Sequence, residues 1–206
     1  LARRAVFSFD ELKNLTMGDD GVKANLETCE IALPVASLGL LKSALCALKV
    51  LEVVGLDWKR YCENLREFEP PEGRFRPIRW GNWLLIDDTY NANPPSVKNA
   101  LESLRYFFFS GQKLAVLGDM LELGEYSERL HRQVGEMCAK YGIECWFFGR
   151  WMQKAYEECV KAKGNCFRLE SEEKLKKRLS EGSGVIIFKG SRGVRMERFI
   201  KLITEN

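Results

Sequence analysis

Residues 84–95 read Leu-Leu-Ile-Asp-Asp-Thr-Tyr-Asn-Ala-Asn-Pro-Pro, and this stretch decides the fold. Three apolar residues run directly into two adjacent carboxylates, and a loop rich in Asn and Pro leads to a helical pattern that begins at Ser96. The pattern predicts a buried strand that ends in a polar loop. In open α/β sheets such strand ends face a common crevice in which ligands bind. Adjacent carboxylates repel unless a cation, donors or water compensate them, so Asp87 and Asp88 indicate a ligand site.

Two interpretations of this loop stay open on these residues alone. In the first, the carboxylates belong to a site for a metal nucleotide or a sugar hydroxyl. In the second, Asp88 only caps the following turn, and Asn91 and Asn93 adopt turn conformations that their short amide side chains favour.

Composition limits the class of protein. Of 206 residues, 46% are hydrophobic and 30% charged, which predicts a globular protein of one or two domains. The net charge of +3 is spread without long runs, so neither nucleic acid nor a membrane is expected as a partner. Lys42, Lys49 and Glu52 interrupt the apolar stretch 31–56 and make a bilayer span unexpected there. The sequence shows no signal peptide. Because it begins with Leu1 and not Met, we expect either a fragment of a longer protein or a segment chosen for expression.

Seven cysteines and a single histidine, His131, are spaced without any Cys-x-x-Cys pair. This pattern predicts neither a disulfide framework nor a zinc site. Most of the cysteines fall at apolar positions of predicted helices or strands, so we expect small buried hydrophobic residues in a reducing compartment.

The first part of the chain, residues 1–74, is predicted to be a small unit. Short β-type runs among residues 1–35, including residues 5–9, predict two or three antiparallel strands. A helix follows with Ser37 as its N-cap and Gly55 just past its end, and Asp57 is predicted to cap a second helix with an apolar face. Pro70-Pro71 ends that helix, and the stiff, polar sequence around it predicts a hinge and a domain boundary near residue 74.

The second part, residues 75–206, predicts a more regular domain. Gly81-Asn82 separates two β-type runs and is typical of a two-residue hairpin turn. Five alternations of short apolar strands with amphipathic helices follow. This order predicts an α/β fold in which a Rossmann-like, doubly wound, mostly parallel sheet carries helices on both faces.

The carboxyl ends of these predicted strands carry polar residues. In chain order they read Asp-Asp-Thr-Tyr-Asn at 87–91, Gly-Asp-Met-Leu-Glu at 118–122, Gly-Arg at 149–150 and Lys-Gly-Ser-Arg at 189–192. Because the carboxyl ends of parallel strands meet at one edge, we expect a phosphate and carboxylate site there. No Gly-Lys dipeptide occurs in the chain, so it lacks a Walker A loop, and no Gly-x-Gly-x-x-Gly follows a predicted strand.

Three of these motifs resemble those of the Mur ligase family. They are Asp-Asp-Thr-Tyr-Asn-Ala-Asn-Pro at 87–94, Leu-Gly-Asp-Met-Leu-Glu-Leu-Gly at 117–124 with His131 after it, and Phe-Lys-Gly-Ser-Arg-Gly at 188–193. They occur in the family's order and spacing, and the resemblance covers residues 75–206 strongly and residues 1–74 weakly. It implies that residues 1–74 are the end of a central ATPase domain without its P-loop, and that residues 75–206 are the C-terminal domain that closes over the site through the hinge.

The resemblance also implies an activity. The motifs are most similar to those of cytoplasmic ligases that join D-alanyl-D-alanine to UDP-N-acetylmuramoyl-tripeptide through an acyl phosphate in peptidoglycan precursor synthesis. ATP and Mg²⁺ would be held mainly by the missing N-terminal and central part, which is also the implied protein partner. Because the P-loop is absent, we expect the isolated chain to be inactive and to bind nucleotide weakly.

The resemblance implies three groups of site residues and no metal ligand. The catalytic group is Lys189, Asp119 and His131. The residues that would hold the ribose and base of ATP are Asp88, Tyr90, Asn91 and Asn93. The residues that would orient D-alanyl-D-alanine, or bind its carboxylate or a phosphate, are Asp119, Glu122, Ser191 and Arg192.

Other interpretations stay open beside the ligase. A truncated, non-catalytic module that binds a nucleotide or another ligand would have the same motifs. A receiver-like phosphoacceptor domain also has an acidic pair after its first strand, a later Asp, here Asp119, and a Lys after its last strand, here Lys189. In such a domain Asp119 would be labelled by a small phosphodonor. His131 itself fits a buried structural histidine as well as a catalytic one.

Overall fold

A computed structural model describes residues 8–108 and 110–205. These residues divide into two compact units, one made of residues 8–69 with 106–108 and the other of residues 70–105 with 110–205. The division falls at the Pro70-Pro71 pair, in the segment from which the sequence predicts a hinge. That the first unit is the end of a central ATPase domain stays a prediction.

The first unit contains a three-stranded antiparallel sheet and one long helix. The strands are β1 (Leu12–Gly18), β2 (Gly21–Leu26) and β3 (Cys29–Leu33), in that order across the sheet. Helix α1 (Leu38–Val53) begins as predicted after Ser37, whose hydroxyl accepts a hydrogen bond from the Leu40 amide at 3.3 Å. Of the strand expected at residues 5–9, residues 5–7 lie outside the described part of the chain.

The second helix predicted from Asp57 is wrong. The segment forms two short 3₁₀ helices, Trp58–Tyr61 and Glu63–Glu67. Of the apolar face expected for one continuous helix, only Trp58 and Cys62 are buried, and Tyr61 is 44% exposed. A longer α-helix is stabilised mainly by burial of a continuous apolar stripe, and this segment has none.

The second unit is built on a six-stranded sheet. Its strands in chain order are β4 (Arg76–Trp80), β5 (Trp83–Asp88), β6 (Gln112–Gly118), β7 (Glu144–Phe148), β8 (Cys166–Arg168) and β9 (Gly184–Lys189). Across the sheet the order is β4-β5-β9-β6-β7-β8. The hairpin predicted at Gly81-Asn82 joins β4 to β5 antiparallel, and the remaining pairs are parallel. The predicted doubly wound, mostly parallel α/β fold is therefore confirmed.

Four α-helices connect the strands from β5 to β9, and a fifth follows β9. They are α2 (Pro94–Tyr106), α3 (Ser127–Tyr141), α4 (Met152–Lys161), α5 (Glu172–Ser180) and α6 (Glu197–Thr204). Helix α2 begins at Pro94 rather than at the predicted Ser96, because a proline is well suited to the first helical position.

The central strands are buried on both faces. All six residues of β9 are buried, which explains why its sequence is an uninterrupted apolar run up to Lys189. On one face, Leu85, Val116, Ile186 and Phe188 pack with α5 and α6 in a single apolar cluster. Since alternate residues of a strand point to opposite faces, Leu84, Ile86, Val185 and Ile187 form the other apolar face of the same strands.

Candidate functional site

The candidate site lies at the edge where β5, β9 and β6 end. The last strand in sequence, β9, lies between the other two, so Lys189 has Asp88 beside it on one side and Leu117 on the other. We call the three loops that follow these strands the rim: residues 89–93 after β5, 119–123 after β6 and 190–192 after β9. The topology thus brings together the three motifs that lie far apart in sequence, as the sequence analysis predicted.

A buried ion pair stands at the centre of the rim. The Lys189 ammonium donates to Asp88 Oδ2 at 2.6 Å and to the carbonyl oxygen of Asn91 at 2.9 Å. The Lys189 side chain is 2% exposed and that of Asp88 is 16% exposed. Burial raises the pKa of Asp88, and the attraction and hydrogen bond of Lys189 oppose that rise. The two groups therefore stabilise each other as charges in a place where either alone would be costly.

The neighbouring carboxylate, Asp87, has a different task. Its Oδ1 accepts hydrogen bonds from the Thr89 amide at 3.2 Å and the Thr89 hydroxyl at 2.7 Å, and its Oδ2 accepts one from the Gly73 amide at 3.1 Å. The turn cap that was one interpretation of Asp88 is therefore wrong for Asp88 and applies to Asp87. The Asp-x-Thr spacing is the signal that identifies this turn. As the sequence predicted, the adjacent charges are compensated, one by a cation and the other by a donor network.

Ser191 ties the three rim loops to one another. Its amide donates to the Asp119 carbonyl at 3.0 Å. Its hydroxyl accepts a hydrogen bond from the Leu121 amide at 2.8 Å and donates one to the Ala92 carbonyl at 3.4 Å. Ser191 is 5% exposed, so in this arrangement it holds the loops together, and its predicted binding of substrate stays a prediction.

The Asp119 carboxylate also forms a hydrogen bond within the protein. Its Oδ1 accepts a hydrogen bond from the Met152 amide at the start of α4, at 2.7 Å, and the residue is 8% exposed. Gly149 makes room for the carboxylate: a Cβ atom there would lie 2.4 Å from Asp119 Oδ1. The carboxylate therefore caps a helix and is not presented as an open phosphoacceptor, which argues against the receiver-like alternative.

His131 is fully buried, and backbone groups engage both of its ring nitrogens. Nε2 accepts a hydrogen bond from the Met120 amide at 3.0 Å, and Nδ1 lies 2.6 Å from the Ser127 carbonyl, to which it donates in the matching tautomer. The ring stacks on Trp151, with 6.2 Å between the centroids. This geometry makes His131 a positioning residue for the loop that carries Asp119, as the structural interpretation expects, and its catalytic role stays a prediction.

His131 should make stability depend on pH. Burial lowers its pKa from 6.5, against the opposing effects of the Ser127 carbonyl and of Asp119, so it is neutral in the folded chain at pH 7. As pH falls below 6.5, the unfolded chain gains a proton on this histidine that the folded chain does not. Its contribution to stability is therefore full above pH 6.5 and is lost below it, by up to about 1.4 kcal/mol per pH unit.

The control for this effect is His131→Gln, which keeps an acceptor for the Met120 amide and removes the titration. The sequence contains no other histidine. In urea unfolding at pH 5.0 to 8.0, the difference in unfolding free energy between wild type and variant should shrink as pH falls. Parallel pH profiles would contradict the assignment of a neutral, buried imidazole.

An open, positively charged part of the rim surrounds Tyr90. The ring is 44% exposed and lies between two guanidinium groups, that of Arg74 at 4.1 Å and that of Arg192 at 5.8 Å from its centroid. Both arginines are exposed. Arg74 was not predicted as a site residue; it follows Gly73, whose carbonyl accepts a hydrogen bond from the Tyr90 amide at 3.0 Å. An aromatic face with two cations suits an anionic or planar ligand.

The other predicted site residues lie on the same rim and differ in their exposure and in their hydrogen bonds. Asn93 caps α2, since its Oδ1 accepts a hydrogen bond from the Ser96 amide at 2.9 Å, a role that the sequence did not predict for it. Asn91 is exposed, and its Oδ1 accepts the Ala92 amide at 2.8 Å. Glu122 is exposed and has a left-handed backbone with φ of 63°, which non-glycine residues seldom adopt.

No three His, Cys, Asp or Glu side chains in residues 8–108 and 110–205 come together in a way that could hold a metal ion. In the same residues, no helix combines the length and apolar character needed to cross a bilayer.

The fold and the rim define a class: an α/β domain with three polar loops at the carboxyl edge of a doubly wound, mostly parallel sheet. Comparison with known proteins narrows this class. A family model described as "Mur ligase, glutamate ligase domain" matches residues 73–192. The chain therefore belongs to the Mur ligase family.

Individual relatives agree with this assignment. UDP-N-acetylmuramoyl-tripeptide–D-alanyl-D-alanine ligase of Escherichia coli K12 is 30% identical over 201 residues, which cover 94% of this chain and 44% of that protein. The same ligase of Synechocystis is 33% identical over 126 residues, 61% of this chain and 27% of that protein. A crystal structure of the MurF ligase from Thermotoga maritima in complex with ADP has a TM-score of 0.76 at 26% identity, over 93% of this chain and 45% of that one. The chain thus spans less than half the length of these relatives.

Proposed function

We propose that this chain is the C-terminal portion of an ATP-dependent ligase that joins D-alanyl-D-alanine to UDP-N-acetylmuramoyl-tripeptide, in the cytoplasm. The names of the relatives support this activity. The observation that carries the proposal is the exposed Tyr90 ring between Arg74 and Arg192, next to the Lys189–Asp88 pair. A ligase that works through an acyl phosphate must stabilise negative charge on phosphoryl and carboxylate oxygens, and cations fixed at a sheet edge do so.

The residues of this chain divide into two groups in the proposed reaction. Tyr90, Arg74 and Arg192 present exposed surface and would contact the nucleotide or the substrate carboxylate. Lys189 donates two of its three ammonium hydrogens to protein oxygens, so it would hold a positive charge in a fixed position at the centre of the rim. ATP, when bound, supplies the phosphoryl group that activates the substrate carboxylate.

The remaining predicted ATP contacts fit less well. The Asp88 carboxylate is bonded to Lys189, and the Asn93 side chain caps α2, so neither presents a free side chain to a nucleotide in this arrangement. ADP in the Thermotoga maritima structure supports a nucleotide ligand in that relative. We assign no Mg²⁺ ligand to the described residues, and Glu122 and Arg192 are the exposed candidates for orienting D-alanyl-D-alanine.

A chimeric enzyme tests the proposed function. Residues 1–206 would replace the matching segment of the Escherichia coli ligase, and phosphate release would be followed with ATP, the UDP-linked tripeptide and D-alanyl-D-alanine. We expect phosphate release that requires all three substrates. In the chimera, Arg192→Ala should lower the rate of phosphate release at least about 100-fold, since such charge-stabilising contacts contribute on that order.

Two further measurements serve as controls for this experiment. The isolated 206-residue chain should release no phosphate, because it lacks a Walker A loop. Circular dichroism and size-exclusion chromatography establish that the chimera is folded. A folded chimera that stays inactive would contradict the ligase proposal and favour the non-catalytic binding module.

A further inference from the structure

A cation at the carboxyl end of β7 has no part in the site described so far. Arg150 is the second residue after β7 and is exposed. Its guanidinium lies 5.4 Å from the centre of the Trp151 ring, which in turn stacks on the buried His131. Within the described part of the chain, no acidic side chain forms an ion pair with Arg150. The end of β7 therefore presents a positive charge that an anionic ligand can reach from solvent.

The backbone that carries Arg150 is held from both sides. On one side, Arg168 in β8 donates a hydrogen bond to the Gly149 carbonyl at 3.1 Å. On the other side, the Asp119 carboxylate lies directly against the Cα of Gly149, where it leaves no room for a side chain. A guanidinium on a fixed backbone loses little freedom when it binds a ligand, so it can contribute to specificity.

The sheet sets the distance between Arg150 and the centre of the rim. Lys189 on β9 and Phe147 on β7 both pair with Leu117, so they lie at the same level of the sheet. Arg192 follows Lys189 by three residues, and Arg150 follows Phe147 by three residues. Neighbouring strands are about 4.8 Å apart, so the two arginines follow strands that are separated by about 10 Å, with β6 between them.

We propose that Arg150 binds the terminal carboxylate of the incoming dipeptide and makes the ligase specific for a free carboxyl terminus. This inference rests on the proposed function. An extended dipeptide is about 7 Å long and a hydrogen bond adds about 3 Å, so a dipeptide whose amine lies at the centre of the rim reaches the end of β7 with its carboxylate. A guanidinium suits this task because it binds a carboxylate through two parallel hydrogen bonds.

The test uses the chimeric ligase described above with two substrates, D-alanyl-D-alanine and its C-terminal amide, D-alanyl-D-alaninamide. The amide keeps the attacking amine and lacks the carboxylate. We expect kcat/KM for phosphate release to be about 30-fold higher with the dipeptide than with the amide, since hydrogen bonds between charged groups contribute on that order.

Arg150→Gln should remove this preference. It should lower kcat/KM for the dipeptide by about 30-fold, the same contribution of the charged hydrogen bonds, and leave kcat/KM for the amide and the KM for ATP unchanged. Arg150→Lys keeps the charge and loses the two parallel bonds, so it should restore part of the preference. A merely structural role of Arg150 would affect both substrates alike.

Arg105→Gln is the matched control. Arg105 is exposed, and its guanidinium lies 5.7 Å from the centre of the Tyr141 ring, so it resembles Arg150 in its surroundings. It lies at the other edge of the sheet, because Lys113 near the start of β6 donates to the Arg105 carbonyl at 2.9 Å. This variant should leave both kcat/KM values unchanged.

Three results would overturn the proposal. Arg150→Gln could lower kcat/KM equally for both substrates, or it could raise the KM for ATP, which would assign the guanidinium to a nucleotide phosphate. An active chimera with the unchanged chain could also fail to distinguish the dipeptide from its amide, and the proposed function would then stand without this inference. An inactive chimera would contradict the proposed function itself, and the role of Arg150 would fall with it.

Discussion

Replacement of Lys189 by Met should lower the free energy of unfolding of this chain by about 3–5 kcal/mol, because it leaves the Asp88 carboxylate unpaired in a largely buried place. The Asn91 carbonyl also loses its donor, so the loop after β5 loses an anchor. Urea unfolding followed by circular dichroism measures the change. The loss should shrink as pH is lowered, since protonation of Asp88, whose pKa burial already raises, removes the unpaired charge.

The double variant Asp88→Asn, Lys189→Met is the control for this prediction. It removes both charges, so it should be considerably more stable than Lys189→Met alone, and the two single changes should not add. A cost below about 1 kcal/mol for Lys189→Met would mean that water or another cation reaches Asp88, and the buried pair would then not be the centre of the rim. In the chimera, the same single change should lower turnover, while Arg74 and the rim residue Arg192 remain in place.

Gly149→Ala should be the second severe substitution, with a cost of at least about 3 kcal/mol. The backbone at Gly149 has φ of +117°, which strains any residue with a side chain, and the new Cβ would lie 2.4 Å from the Asp119 carboxylate. The carboxylate would have to leave the Met152 amide, so the start of α4 would lose its cap. Thermal unfolding measures the cost, and the NMR shift of the Met152 amide reports the broken hydrogen bond.

Gly142→Ala is the matched control for this change. Gly142 also has a positive φ, 65°, at the end of α3, but a Cβ there would meet no atom within 4 Å. It should therefore cost only about 1 kcal/mol, the price of the left-handed backbone. Equal costs for the two substitutions would show that the clash with Asp119 contributes nothing, and the proposed support of the 119–123 loop would then fail.

Local patterns in the sequence predicted most of the fold of the second unit. Within this unit, the hairpin at Gly81-Asn82 and the buried strand that ends at Lys189 each depend on a few neighbouring residues, and so does the helix cap at Ser37 in the first unit. The segment after Asp57 was predicted wrongly, since it also makes ion pairs with Glu30 of β3 and with Glu27 just before that strand, residues that lie far away in sequence. Apolar spacing alone cannot distinguish one helix from two short turns that a neighbouring strand holds in place.

The individual tasks of the rim residues were less accessible from sequence. Asp87 and Asp88 are identical side chains in adjacent positions, and only their directions in the folded chain decide which one caps a turn and which one meets Lys189. The same holds for Asp119 and His131, whose partners are backbone groups of other segments. Every residue except proline has a backbone amide, so the sequence does not show which amide a side chain will bind. These partners are known only from the folded structure.

Apolar runs, turn residues and helical periodicity act locally, so they were enough to predict the α/β class, the parallel strands and the polar residues at their carboxyl ends. The position of β9 between β5 and β6 is known from the folded chain alone, and with it the pairing of Lys189 with Asp88 and the joining of three loops by Ser191. Strand order follows from how the helices pack against the whole sheet, which no short stretch of the chain encodes.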